Sequence, residues 1–184
     1  MKIRKIIYKT LIVGGLLLAT TSMYTTYKVE NNNKNLVKEY KEVMKNTEEK
    51  LELPQSVLGI LKIPKLNLEV AVKEGTDDET LKYAVGHFEE TPMAGEVGNF
   101  SIAGHRAYTY NKFFSNLDEV IVGDEIEFYT EKETYKYKII NTKVIEPTQL
   151  EVLNSIDNKE TITLITCTPK FVGSHRLIVV GERI

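Results

Sequence analysis

The first change from polar to apolar residues along the chain lies at its N-terminus. Lys2, Arg4, Lys5 and Lys9 precede a run without charge over residues 10–27. This length is about the 18–20 residues that cross a bilayer, and the basic flank predicts that this end stays in the cytoplasm. A cleaved signal peptide is an alternative, but ATTSMYTT offers a poor cleavage site. The other alternative, a buried core helix, would rarely carry such a flank. We predict an uncleaved signal anchor over residues 1–27, with the rest of the chain outside the cell.

The next segment, residues 28–56, is polar and highly charged. We expect Asn31, Asn32 and Asn33 to break a helix. Leu36, Tyr40 and Met44 then recur at helical spacing, which predicts a helix after the asparagines. A charge-rich run is usually solvated, which favours a spacer over a partner-binding helix. We predict a stalk, part disordered and part helical, that holds the following domain off the bilayer.

From Val57 onward, short apolar runs alternate with turn residues. VLGILKIPKLNLEVAVKEG predicts two strands around a turn. A capping box from Thr76 to Glu79 predicts a helix over residues 76–90, and a second helical patch covers residues 110–120. Further strands are predicted in NFSIAG, in residues 125–147, in TITLITC and in HRLIVVGERI.

The elements number about seven or eight strands and two or three short helices. Strands dominate, and no alternation of strands and helices typical of a parallel sheet is visible. We predict a mainly β domain over residues 57–184, closed as a barrel or packed as a sandwich.

Composition narrows the possible partners and linkages. The formal net charge of -2 offers no field that would attract nucleic acid, so we expect no nucleic-acid partner. The chain has a single cysteine, which excludes an intramolecular disulfide although an extracellular compartment would permit one.

That cysteine, Cys167, follows the apolar strand TITLIT, and Thr168-Pro169 is expected to end the strand. A nucleophile at a strand end is held by the sheet and stays accessible to substrate. A buried structural cysteine is the alternative, since free cysteines are among the most buried residues.

Two further residues complete a candidate site. His105 also follows an apolar strand, after Gly104, which would allow a sharp turn. Arg176 comes nine positions after Cys167 (176 minus 167), where a hairpin would return it to the cysteine. The alternatives are a histidine bonded to a loop and an arginine in a surface ion pair.

The three residue types fit one reaction scheme. A thiolate is a nucleophile favoured by an adjacent cation. Arg176 could stabilise the oxyanion formed by attack on an amide, and His105 could transfer protons. No Asp or Glu is clearly placed to orient His105, so a conventional triad is not evident.

In TLITC, AGHR and HRLIV the chain resembles the sortases, the surface-protein transpeptidases of Gram-positive bacteria. TLITC matches the family's nucleophile motif at Cys167, the GHR context matches its histidine at His105, and the later arginine matches Arg176. The resemblance runs from about Val57 to Ile184 and includes the N-terminal anchor. It is greatest to class D, with class E as a neighbour.

The resemblance implies a closed eight-stranded β barrel with catalytic Cys167, His105 and Arg176. It implies cleavage of an LPxTG-like sorting signal between Thr and Gly through a thioacyl enzyme. An amine of a peptidoglycan precursor would resolve that intermediate and join the surface protein to the cell wall. No cofactor is required, and the enzyme would be a single-pass membrane protein with an extracellular catalytic domain.

Other polar residues have simpler interpretations. His87 and His175 are expected to be surface or structural residues, and by resemblance Thr166 shapes the substrate groove. Some family members bind Ca²⁺, but no loop here has calcium-ligand spacing. We therefore expect a solvated face rather than a metal site from four alternating acids, Glu125, Glu127, Glu131 and Glu133.

Three other functions remain open. A surface cysteine peptidase that only hydrolyses its intermediate would use the same residues. An L,D-transpeptidase is less similar, because its cysteine follows a different context from Ile165-Thr166. A non-catalytic tethered binding module would bury Cys167 and leave it inert.

Overall fold

Eight strands pair edge to edge into a closed barrel in the order β1-β2-β3-β4-β7-β8-β6-β5. The computed structural model describes residues 2–45, 57–106, 113–156 and 158–184. The strands are β1 (Val57–Ile63), β2 (Leu68–Glu74), β3 (Val85–His87), β4 (Gly98–Ala103), β5 (Glu125–Tyr129), β6 (Thr134–Ile145), β7 (Glu160–Thr168) and β8 (His175–Arg183). Neighbouring strands are antiparallel except for β2-β3 and β4-β7, which are parallel. The prediction of a closed eight-stranded barrel is confirmed.

Alternate residues of the strands fill the barrel interior. Leu61, Val72, Ile102, Leu164 and Val179 belong to one buried cluster and are 0% exposed. The period of two along each strand places such residues on the same face. Burying each of these side chains contributes roughly 1.5–3 kcal/mol, so this cluster stabilises the folded domain.

The strand directions define two ends of the barrel. β4 ends at Ala103 and β7 ends at Thr168 on the same side, because the two strands are parallel. The antiparallel partner β8 begins there at His175, and β3 begins there at Val85. We call this end the Cys167 rim and the other end the opposite rim.

The predicted helix over residues 76–90 is wrong in its extent. The structure has a six-residue helix, α2 (Asp78–Tyr83), followed by strand β3. Asp77 caps α2, because its side chain accepts hydrogen bonds from the backbone N–H groups of Glu79 and Thr80, so the predicted Thr76 capping box is also wrong. β3 forms because Val85 and its neighbours pair with β2, an interaction that local propensity does not contain.

The remaining helical segments are single turns. Short 3-10 helices cover Pro64–Leu66, Leu117–Glu119 and Leu150–Leu153. The predicted helix over residues 110–120 is therefore reduced to one 3-10 turn at its end, and its first residues lie outside the described part of the chain. The strand β7 continues one residue past Cys167, to Thr168.

The N-terminal segment forms one unbroken helix, α1 (Lys2–Lys45). The prediction that Asn31 to Asn33 break the helix is wrong. Asn33 is buried, and its side-chain amide donates to the carbonyl of Tyr83 at 3.1 Å. This tertiary hydrogen bond satisfies the polar group that would otherwise disfavour the helix.

The second half of α1 packs against the barrel. Val29, Val37 and Tyr40 are buried at helical spacing, and Tyr40 donates to the carbonyl of Leu58 at 3.2 Å. Burial and the nearby charge of Glu131 raise the pKa of Tyr40 to about 12. The expected solvated stalk is therefore wrong for residues 29–40, whereas residues 46–56 lie outside the described part. The boundary at residue 57 stays a prediction.

The first half of α1 is exposed along its length. The helix from Arg4 to Lys45 contains a stretch long and apolar enough to cross a membrane. Leu11, Leu16 and Leu18 are more than 60% exposed, which is unfavourable in water for so many large apolar side chains.

Candidate active site

Strand pairing brings the three predicted site residues to one end of the barrel. Cys167 on β7 lies directly opposite Arg176 on β8 in the antiparallel register. β4 runs parallel to β7 with Ala103 beside Ile165. His105, two residues beyond Ala103, therefore leaves the sheet beside Cys167, two residues beyond Ile165.

Cys167 is half-buried, so the sheet holds it while its side chain remains accessible. Gly173 in the β7–β8 loop lies beside it. A Cβ at Gly173 would be 3.6 Å from Cβ of Cys167 and 4.0 Å from its Sγ. Gly173 has φ +67°, a conformation that favours glycine, so backbone geometry and space near the thiol both favour glycine here.

Arg176 is held by the same loop. Its Nη1 donates to the carbonyl of Gly173 at 3.2 Å and to that of its neighbour His175 at 3.1 Å. These two bonds fix the guanidinium on the Cys167 side of the hairpin. A planar cation in such a position suits a developing negative charge on oxygen.

Two hydrogen bonds hold the backbone at Gly104, immediately before His105. Gly104 donates its N–H to the carbonyl of Ile165 at 3.0 Å, and Thr166 Oγ1 donates to the Gly104 carbonyl at 2.7 Å. A Cβ at Gly104 would be 2.5 Å from the Phe114 ring. The glycine is thus required for close packing, and not for the sharp turn that we expected, because its φ is not positive.

Arg106 is a site residue that the sequence patterns did not reveal. Only 4% of its side chain is exposed. Its Nη1 donates to Thr168 Oγ1 at 2.7 Å and to the carbonyl of Cys167 at 3.4 Å. Its Nη2 pairs with Asp118 at 2.7 Å, and its Nε donates to the carbonyl of Ser115 at 3.4 Å. The arginine next to His105 therefore bonds to the backbone of the cysteine itself.

Asp118 is the carboxylate partner of this arginine. Burial acts to raise the pKa of Asp118, but its own backbone hydrogen bond and the Arg106 guanidinium outweigh it, so the pKa is lowered. Lys170, 3.7 Å from the same carboxylate oxygen, acts in the same direction. The only signal for Arg106 in the sequence was its position in AGHR, since Asp118 and Thr168 are distant along the chain.

The side chains of the other two histidines have acidic partners of their own. His87 is 1% exposed, and its ring bonds Glu74 at 2.7 Å and Thr91 at 3.0 Å, so it is a structural residue. His175 contacts Glu146 at 3.3 Å on the surface. In the described part of the chain no carboxylate pairs with His105, whereas both other histidines have one.

The four alternating glutamates are partly engaged in ion pairs. Glu127 accepts from Tyr129 and lies 3.9 Å from Lys62 and 3.6 Å from Lys136. Glu133 pairs with Arg183 at 2.9 Å. Within the described ranges, no three or more His, Cys, Asp or Glu side chains form a group that could hold a metal ion.

The barrel thus carries a half-buried thiol near a strand end, with Arg176 opposite it and the strand that leads to His105 beside it. A thiol, a cation and a histidine are the groups that acyl transfer through a thioester uses. Residues 61–184 match the family model described as the sortase domain. The chain therefore belongs to the sortase family.

Two known sortases are similar to this chain in sequence. The chain is 32% identical over 129 residues to Sortase D of Bacillus subtilis, covering 68% of this chain and 63% of the relative. It is 29% identical over 128 residues to Sortase A of Bacillus anthracis, covering 70% and 60%. The aligned part thus spans less than two thirds of these relatives.

Among solved structures, a Sortase D5 transpeptidase of Clostridium perfringens superposes with a TM-score of 0.73 at 36% identity. The match covers 84% of this chain and 99% of that one. Class D members thus occur among both kinds of relative, which supports the class D likeness.

Proposed function

We propose that this protein is a membrane-anchored cysteine transpeptidase that cleaves an LPxTG-like sorting signal and joins the cleaved protein to a cell-wall amine. The observation that carries the proposal is the register that sets Cys167 opposite Arg176 beside the strand leading to His105. Membership of a family whose solved members include a transpeptidase supports it.

In the first half-reaction, the Cys167 thiolate attacks the carbonyl carbon of Thr in the Thr-Gly bond. The carbonyl oxygen becomes an oxyanion, and Arg176 stabilises it. The C–N bond then breaks, the glycine amine leaves with a proton from His105, and a thioester remains.

In the second half-reaction, an amine of a peptidoglycan precursor attacks the thioester carbonyl and gives a proton to His105. The C–S bond breaks and the thiolate is restored. Neither half requires an oxidant, a reductant or a cofactor, so we expect turnover to be insensitive to a chelator such as EDTA. Inactivation by EDTA with recovery on adding Ca²⁺ would contradict this.

The test is a peptide assay with residues 28–184, which retain the docked part of α1. The protein is mixed with an LPxTG peptide, with and without an amine acceptor, and the products are read by mass spectrometry. We expect a thioester at Cys167 and an acceptor-linked product. Cleavage without any amine product would instead indicate a peptidase that only hydrolyses.

Two variants separate the proposed roles. Cys167→Ala should lose all turnover, and activity in this variant would exclude the nucleophile. Arg176→Lys should lose about 10²-fold in kcat, because a point charge does not replace a planar fork at an oxyanion. Wild-type kcat in Arg176→Lys would exclude the oxyanion role.

For location, we propose a single-pass topology in which α1 crosses the membrane with its basic end in the cytoplasm. The exposed apolar half of α1 supports this. The barrel would then lie outside the cell, where surface proteins and wall precursors are available as substrates.

A further inference from the structure

The path of α1 over the barrel indicates where it leaves the domain. Tyr40 bonds to Leu58 near the start of β1, at the opposite rim. Asn33 bonds to Tyr83, just before β3 begins at the Cys167 rim. Lys41, next to Tyr40, pairs with Glu69 near the start of β2, at the Cys167 rim. α1 thus crosses β1 and β2, and seven residues before Tyr40, about 10 Å of rise, its Asn33 lies beside the start of β3 at that rim.

The exit point is close to the apolar run. Val29, one turn before Asn33, is 2% exposed and belongs to the main core cluster. The uncharged run ends at Tyr27, only two residues earlier. Since the helix has no break between these positions, there is no flexible joint between the docked helix and the apolar stretch.

A second, independent feature lies at the same rim. Phe171 and Val172, in the loop between β7 and β8, are 75% and 72% exposed, and Ile121 and Val122, in the turn before β5, are each 62% exposed. These are two loop tips that present large apolar side chains to the surroundings. Phe171 also has φ +73°, a conformation uncommon for an aromatic residue.

From these observations we propose that the Cys167 rim is the face of the barrel that lies against the lipid bilayer. α1 sets the orientation, and the two apolar tips enter the interface between headgroups and acyl chains. The proposal rests on the anchor proposed above. It places the active site next to the membrane surface, where a lipid-linked amine acceptor would be presented.

Lipid is favoured over a protein partner as the occupant because of chain continuity. The unbroken helix connects the apolar run to Asn33, which bonds beside the start of β3 at this rim, whereas a protein partner has no comparable link to it. Apolar side chains at exposed tips are stabilised on entering such an interface.

The test measures depth in the membrane along the full chain. In a Cys167→Ala background, a single cysteine is placed at Val122, at Val172 or, as a control, at Val97. Val97 is similarly exposed, at 60%, but precedes β4 at the opposite rim. Each variant carries a nitrobenzoxadiazole label and is reconstituted in phosphatidylglycerol–phosphatidylethanolamine vesicles that contain a lipid with a nitroxide near the headgroup.

We expect quenching of the labels at 122 and 172 to exceed that at 97 by about three-fold or more, because nitroxide quenching requires proximity to lipid. Equal quenching at all three positions, or strongest quenching at 97, would overturn the proposal. So would a label at 172 that responds to an LPxTG peptide and not to lipid, because that loop would then belong to the peptide groove.

A second variant tests whether α1 sets the orientation. Insertion of Gly-Ser-Gly-Ser-Gly between Lys28 and Val29 keeps the docked helix but adds a flexible joint. Quenching at 122 and 172 should fall by at least about two-fold, with an unchanged thermal midpoint. Unchanged quenching would overturn the orienting role of α1.

Flotation of the labelled chain with the vesicles tests the membrane anchor separately from the transpeptidase activity. A chain that does not float would disprove the anchor, and with it the lipid-facing rim. Peptide turnover by residues 28–184 is measured without membranes and would be unaffected, so the transpeptidase proposal is tested separately.

Discussion

At the scale of single residues, the site depends on a side chain that takes no part in the proposed chemistry. Arg106 follows His105 and bonds to the carbonyl of Cys167 and the hydroxyl of Thr168. It thereby couples the backbone that carries the proposed base to the backbone that carries the proposed nucleophile. Misplacement of reacting groups by about 1 Å can cost about 10²-fold in rate, so such a residue can affect kcat without touching substrate.

We therefore expect Arg106→Gln to lower kcat by about 10- to 100-fold, with a smaller change in KM, because the two backbones lose their common partner. Arg106→Lys should recover little, since a single ammonium cannot contact both Thr168 and Asp118 in a fork. Steady-state kinetics and the rate of Cys167 alkylation check this.

The matched control is Lys170→Gln, because Lys170 also approaches Asp118 but is more exposed. Equal losses in the Arg106 and Lys170 variants would contradict a role specific to Arg106. A loss that disappears when the assay temperature is lowered below the transition of the variant would indicate a stability effect alone.

The lowered pKa of Asp118 leads to a prediction about acid stability. Its ionised form is stabilised in the folded state, so the contribution is fully present above the ordinary value of 3.8 and is lost as the pH falls through the lower folded pKa. Asp118→Asn should thus destabilise the domain at pH 7, with a difference from wild type that shrinks below about pH 3.8. Urea unfolding at both pH values measures this, and a difference independent of pH would contradict it.

At the scale of elements, α1 has two roles in one helix. Its first half has the exposed apolar surface of a membrane span, and its second half belongs to the barrel domain through Val29, Val37 and Tyr40. Val37 and Tyr40 cover Ile60, Ala71 and Ala84, which are at most 1% exposed. A chain that begins at residue 57 would expose this patch to water.

Tyr40→Ala in residues 28–184 should therefore lower the free energy of unfolding by about 3 kcal/mol, because a large buried side chain leaves a cavity. Tyr40→Phe should cost about 1 kcal/mol through the lost hydrogen bond to Leu58. Chemical denaturation measures both. Lys38→Ala, on the exposed face of the same helix, is the control, and a similar loss there would argue against specific docking.

At the scale of the whole molecule, the barrel closes through strands that are distant in sequence. Ala103 on β4 pairs with Ile165 on β7, 62 positions later (165 minus 103), and the pair is parallel. Both candidate catalytic strands therefore reach their positions only when the barrel is closed. Loop-closure entropy must be overcome before these contacts can stabilise the chain.

We expect residues 28–184 to refold in about milliseconds to seconds after dilution from denaturant, as for other barrels rich in non-local contacts. Recovery of peptide cleavage should not precede the main folding phase, because the pairing of β4 with β7 is what brings His105 and Cys167 to the same rim. Stopped-flow fluorescence of the tyrosines and timed activity measurements check this. Activity that appears before the main phase would contradict the dependence on closure.

Most of the strand pattern, and the positions of Cys167, His105 and Arg176 near strand ends, could be predicted from the sequence, because they depend on local signals. Strands such as β7 and β8 have an apolar run followed by a break, and Cys167, His105 and Arg176 stand at such breaks. The charged flank and apolar run at the start of α1 are similarly local. The spacing of apolar side chains and the positions of glycine, proline and other turn residues indicate these features. Neither signal depends on residues that are distant in the chain.

The tertiary structure alone decided the features whose partners are far away in the chain. Asn33 stays helical because it bonds to Tyr83, and Val85 to His87 form a strand because β2 lies beside them. Arg106 is a site residue only because folding brings Asp118 and Thr168 to it. In each case an interaction that forms only in the folded state outweighs a weak local preference. A sequence pattern cannot show such an interaction, because the two partners are not neighbours in the chain.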